Sequence, residues 1–204
     1  IDLLRAQNIS VSNGGTLLEL SEHQGKARQF FKELKEIGCD ATEISNGSID
    51  IKPERVCELV SMAKEFDLIV YCEVGKKTPS MDMDIAEYTF EIHEYLKAGA
   101  EKVIIEARES GANVGVMDDD GNPKTDDINE ILKGINVDNI IFEAPRKNQQ
   151  VYFLKKFGPE ISLGNIAPND VISLETLRRG LRGDTVKNFY NVIGDRHLIK
   201  HGIK

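Results

Sequence analysis

Residues 68–106, LIVYCEVGKKTPSMDMDIAEYTFEIHEYLKAGAEKVIIE, hold the pattern that decides the fold. A β-branched apolar run at 68–73 ends in a polar, glycine-bearing loop. A longer amphipathic stretch at 84–98 follows and stops at Gly99, where a left-handed cap is wanted, and a second β-branched run begins at 102. Strand, helix and strand in that order form a βαβ unit, whose crossover makes the two strands parallel.

The same alternation extends in both directions. Strands are predicted at 9–12, 41–44, 68–73, 102–106, 139–143 and 161–166, and helices at 26–37, 53–66, 84–98, 126–133, 148–157 and 171–182. Pro53 suits a first helical position, and Gly38 and Gly158 lie just past helix ends. Six βα units build a parallel sheet covered by helices, either open and doubly wound or closed into a barrel, and alternation does not choose between the two. No GxGxxG or P-loop pattern follows any strand, and the Gly14-Gly15 pair is no dinucleotide fingerprint, so a nucleotide-binding open sheet is disfavoured.

The composition sets further bounds. The chain has 204 residues, 40% hydrophobic and 29% charged, which suits a single globular domain. No apolar run approaches the roughly 20 residues of a membrane span. A formal charge of −8 argues against a nucleic-acid partner, because phosphate-backbone affinity needs a basic surface. Cys39, Cys57 and Cys72 form no CxxC pair and have no histidine at ligand spacing, so a reducing cytoplasm is expected and a zinc site is not. The chain starts at Ile1 with a stretch too polar for a signal peptide, which reads as a truncation.

Chemistry collects where the strands end. Four predicted strands finish on acids, Glu43, Glu73, Glu106 and Glu143, and the last carries Asn165. Parallel strands place these ends on one rim, the face that carries the active site in barrel enzymes. One such acid is ordinarily a solvated residue, but four aligned acids with no histidine and no paired cysteine suit a hard cation such as Mg2+. Glu73, Glu106 and Glu143 are the expected metal ligands. Lys76 and Lys77 follow Glu73 closely, fitted to phosphate binding or proton transfer. Arg108 shares a strand face with Glu106 if that strand continues. Arg146, Arg178 and Arg182 are candidate anion binders, with Arg178 and Arg182 on one helical face at i, i+4; paired surface cations and a match to Glu175 are the competing explanation. His23, His93, His197 and His201 are scattered and suggest no metal site.

GGTLLE (14–19), EISNGS (43–48), EVGKK (73–77), EKVIIEARESG (101–111), IFEAP (141–145) and NIAPNDVISLETLRRGLRGDT (165–185) together resemble the phosphosulfolactate synthase family. The resemblance runs from about Asn8 to Thr185. It implies a (β/α)8 TIM barrel that adds sulfite to phosphoenolpyruvate with Mg2+, giving (2R)-phospho-3-sulfolactate on a route to coenzyme M. It also implies Lys77 as the proton donor. The family has two more strands before GGTLLE, bearing motifs absent here, so residues 1–185 are expected to be units three to eight, with 1–8 the end of the second helix and 186–204 a tail or extra helix. Gly164, Pro168, Asn169 and Arg146 also depart from the family pattern. Two open sheet edges predict a homo-oligomer. The alternatives are a relative with another small anionic substrate and a non-catalytic, stress-associated relative.

Overall fold

Six strands form one all-parallel sheet in the order β1 to β6: β1 (Ser12–Asn13), β2 (Ala41–Ile44), β3 (Ile69–Val74), β4 (Lys102–Ile105), β5 (Ile140–Glu143) and β6 (Ser162–Gly164). This computed structural model describes residues 1–75, 84–107, 110–113 and 115–189. Every strand pairs with its neighbours in sequence. An order without reversal distinguishes this winding from a doubly wound sheet. Right-handed crossovers then put every connecting helix on the same face, and the sheet curls into a half-barrel of TIM-like type.

The helices are α1 (Asp2–Arg5), α2 (Gly15–His23), α3 (Ala27–Glu36), α4 (Pro53–Lys64), α5 (Ile85–Ala98), α6 (Thr125–Ile131), α7 (Lys147–Phe157) and α8 (Val171–Arg178). The expected Gly38, Gly99 and Gly158 caps have φ of +94°, +108° and +98°, in the region that favours glycine. Asp84 caps α5 by accepting from the Ala86 and Glu87 amides. The sequence reading had no counterpart for α2, and α8 ends four residues sooner than expected, at a turn where Gly180 has φ +64°.

Strand alternation divides the side chains between two faces. Val70, Cys72 and Val74 of β3, Val103 and Ile105 of β4, and Ile140 and Phe142 of β5 pack in the core. Phe142 stacks on Phe153 and Phe157 of α7 at ring separations of 4.3 and 5.4 Å. The alternate residues occupy the concave face. Among them Ile69 is 42% exposed, whereas Lys102 reaches across to the Ser162 hydroxyl at 2.9 Å and the Asp138 carbonyl at 2.7 Å. On this face the strand-end acids emerge at the carboxyl rim.

A carboxylate bolt ties the start of α2 to the loop after β2. Glu19 is fully buried and accepts hydrogen bonds from the Ser45 hydroxyl and from the Ser48 and Ile49 amides, the last two at 2.8 and 2.5 Å. Its donors offset the cost of burying charge. Gly15 is packed beneath: a methyl group there runs into Ser45 and comes within 2.8 Å of Glu43 Oε1. Gly15→Ala is therefore expected to cost about 1–3 kcal/mol through overpacking, read as a lower urea midpoint at unchanged slope.

Candidate active site at the carboxyl rim

Glu143 ends β5, Glu43 and Glu73 each lie one residue before the ends of β2 and β3, and Glu106 follows β4 directly. All four line one open cleft of about 950 Å³, together with Asn165, Ser110 and the Gly14–Leu17 start of α2. The rim expected from sequence is therefore present, but its acids are not equivalent. Glu73, Glu106 and Glu143 each offer an oxygen within 4.8 Å of the other two. Glu43 stands apart from this trio and accepts a hydrogen bond from the Gly15 amide at 2.7 Å, capping α2 across 28 residues of sequence.

The trio is electrostatically crowded. Glu73 and Glu106 are only 4% and 3% exposed. Burial, followed by the negative charge of Glu106 and a hydrogen bond with it, raises the Glu143 carboxyl to about 7; the Ala107 amide and the Asn165 side chain oppose the shift. Those two groups donate to Glu143 Oε2 at 2.9 and 3.4 Å. Close-packed carboxylates need a proton or a cation among them. Octahedral Mg2+ holds oxygens at about 2.0–2.1 Å, so its ligand oxygens stand roughly 3–4 Å apart, a spacing inside the 4.8 Å span of the trio. An all-oxygen donor set is also the chemistry such an ion prefers. The residues fit the ion.

The other residues expected around this site divide three ways. Lys76, Lys77 and Arg108 lie outside the described residues. Asn165 is at the rim, in the left-handed region at φ +54°. The arginines are placed differently from the expectation. Arg178 donates to the carbonyl of Pro159, which precedes β6 and so stands at the opposite end of the sheet from the acids. Arg182 follows the end of α8, and neither arginine lines the cleft.

Arg146 spends its guanidinium on backbone: Nε donates to the Ser110 carbonyl at 2.6 Å and a terminal nitrogen to the Asp120 carbonyl at 2.8 Å. Gln149 adds donations to the Gly111 and Gly121 carbonyls. Together they brace the loop around 110–122 that carries Ser110 to the cleft. Arg146→Ala is expected to speed protease cleavage within this loop severalfold while leaving the global unfolding midpoint nearly unchanged, as time-resolved digestion would show.

Sequence reasoning missed the α2 start and Ser110 as parts of the cleft. The available signal was Gly14-Gly15 directly before an apolar helical run; its cap, Glu43, is remote in sequence and left no local mark.

Comparison with known proteins agrees on one group. A family profile described as (2R)-phospho-3-sulfolactate synthase matches residues 1–184. The phosphosulfolactate synthase of Methanothermobacter thermautotrophicus is 42% identical over 188 residues, covering 91% of this chain and 73% of that protein. The phosphosulfolactate synthase of Methanocaldococcus jannaschii is 44% identical over 187 residues (91% and 74%), and that of Bacillus subtilis 38% over 189 (91% and 74%). Among solved structures, a phosphoenolpyruvate phosphomutase from Streptomyces platensis subsp. rosaceus superposes with a TM-score of 0.51 at 12% identity, covering 84% of this chain and 60% of that one. That likeness concerns the fold alone.

Proposed function

The chain belongs to the (2R)-phospho-3-sulfolactate synthase family, and from that membership we propose that it is a cytoplasmic carbon–sulfur lyase adding sulfite to phosphoenolpyruvate in a Mg2+-dependent reaction. The observation that carries the reading is the convergence of Glu73, Glu106 and Glu143 at the rim of the sheet. These three residues would hold the ion, with Asn165 orienting Glu143 through its amide.

The chemistry follows from where charge moves. The sulfur lone pair of sulfite forms a bond to the methylene carbon of phosphoenolpyruvate, and the π pair shifts through C2 onto the substrate carboxylate. A proton then returns to C2, completing (2R)-phospho-3-sulfolactate without an oxidant or a leaving group. When bound, the ion supplies positive charge against a carboxylate that gains electron density only as the reaction proceeds. Lys77 delivers the proton, a role that rests on the family resemblance of EVGKK. Lys76 and Arg108, which flank the same strand ends in sequence, hold the phosphate and sulfonate oxyanions.

The reading includes a complete eight-unit barrel. The described residues form six units, and the chain spans 73–74% of the length of the curated relatives it matches. Leu17, Leu20 and Ile172 on its flanking helices are exposed, which supports closure by two further βα units. Homo-oligomer formation is the alternative way to cover β1 and β6, the outer strands among the described residues.

Full-length protein incubated with phosphoenolpyruvate and sulfite is expected to form phosphosulfolactate, followed by mass spectrometry, only when Mg2+ is present. Folded protein that forms none under these conditions overturns the reading in favour of another nucleophile or a non-catalytic role.

A further inference from the structure

Tyr88, one turn into α5, is 8% exposed and reaches the base of the carboxylate site. A methyl group built on Gly75 would lie 3.0 Å from the Tyr88 hydroxyl and 2.9 Å from Glu106 Cβ. One built on Gly115 would lie 3.4 Å from the same hydroxyl and 2.9 Å from the Glu106 carbonyl. The hydroxyl, two glycines and Glu106 therefore share one small volume. Both glycines adopt positive φ there, +126° and +53°, which side-chain-bearing residues rarely take. The backbone at both glycines thus runs beside Glu106 and the Tyr88 hydroxyl with no room for a side chain between them.

The surroundings of the hydroxyl are acidic. Burial first, and then Glu91, Glu106, Glu87 and Glu73, push its ionisation well above the usual range, so it stays protonated and able to donate. A phenylalanine would fill the same apolar space at less desolvation cost. A hydroxyl that shares this volume with Glu106 is suited to orienting it.

We propose that Tyr88 is a positioning residue of the carboxylate site, its hydroxyl and the flanking Gly75 and Gly115 fixing Glu106 at the spacing it shares with Glu73 and Glu143. The assignment rests on the reading of that trio as a cation site. Groups behind metal ligands typically alter affinity by about 10–100-fold when removed.

Ion binding is measured on full-length protein without substrate, with Mn2+ as a paramagnetic probe of the Mg2+ site, and turnover is assayed separately with both substrates present. Wild type is expected to bind one ion and Glu106→Gln to lose it. Tyr88→Phe is expected to bind at least about tenfold more weakly, with an unchanged melting temperature for the metal-free protein. Turnover should recover at saturating Mn2+, which a general loss of structure would not allow. If Tyr88→Phe also lowers the melting temperature, Gly115→Ala decides, since it crowds the same point from the other side; unaltered Mn2+ affinity in that variant overturns the proposal. Wild-type binding matched by Tyr88→Phe overturns the Tyr88 assignment alone. Wild type that binds no Mn2+ overturns the cation reading, and the assignment with it.

Discussion

Glu106→Gln in the full-length protein is expected to lower kcat/KM by about 10³-fold, equivalent to ~4 kcal/mol of lost transition-state stabilisation, and to abolish binding of the divalent ion. Glutamine keeps the volume and one acceptor oxygen, so the fold has little reason to respond. What disappears is one carboxylate oxygen at a 3%-exposed position within 4.8 Å of two other carboxylates. The informative control is Glu43→Gln. Glu43 lines the same cleft but serves the Gly15 amide, and an amide oxygen can still accept that hydrogen bond. Turnover is therefore expected to fall by less than tenfold, a loss of under ~1.4 kcal/mol. Steady-state kinetics and calorimetric metal titration on the two variants separate three ligands from four rim acids. Equal losses in both would remove the distinction drawn from geometry, and an active, metal-binding Glu106→Gln protein would remove the trio from catalysis.

The sequence made this contrast only partly legible. β2 occupies residues 41–44 as read, since its short apolar run is bounded on both sides, and the acids fall on one rim because parallel strands share a direction. What sets Glu43 apart from the other three acids is a contact, which position in the sequence does not reveal. Its hydrogen bond closes on Gly15, 28 residues away, and creates the start of a helix that lacks any side-chain cap of its own. Local propensity therefore had no cap to find. The arginines failed for a related reason. Arg178 and Arg182 do lie four apart, but residue spacing says nothing about which end of the sheet a helix terminus reaches; α8 runs away from the rim and delivers Arg178 to Pro159. Arg146 begins near the rim, and the carbonyls of Ser110 and Asp120 take up its guanidinium. A charged side chain read from sequence has a position along the chain but no partner. The buried carboxylate of Glu19 shows the same limit: its donors come from a loop whose course only the packed structure defines.

Lys77→Ala is expected to reduce kcat by about 10²–10⁴-fold, the usual contribution of a positioned general acid, while leaving Mn2+ affinity as in wild type. The two readouts are expected to part because the jobs are chemically distinct. A lysine ammonium is no ligand for a cation, whereas protonation of C2 requires a donor that can both release a proton and recover it from solvent. Lys77 follows Glu73 by four residues in sequence, so the proposed proton donor and a proposed metal ligand lie close along the chain. Glu106→Gln should lose metal and turnover together; Lys77→Ala should lose turnover alone. Small primary amines added to Lys77→Ala should restore part of the rate, with an efficiency that follows the amine's size and basicity, if a missing proton donor is the sole defect. A Lys77→Ala enzyme within about threefold of wild-type kcat would fall far short of that contribution and take the residue out of proton transfer. Loss of Mn2+ binding in the same variant would instead show that the loop supports the carboxylates, and the proton at C2 would then need another source.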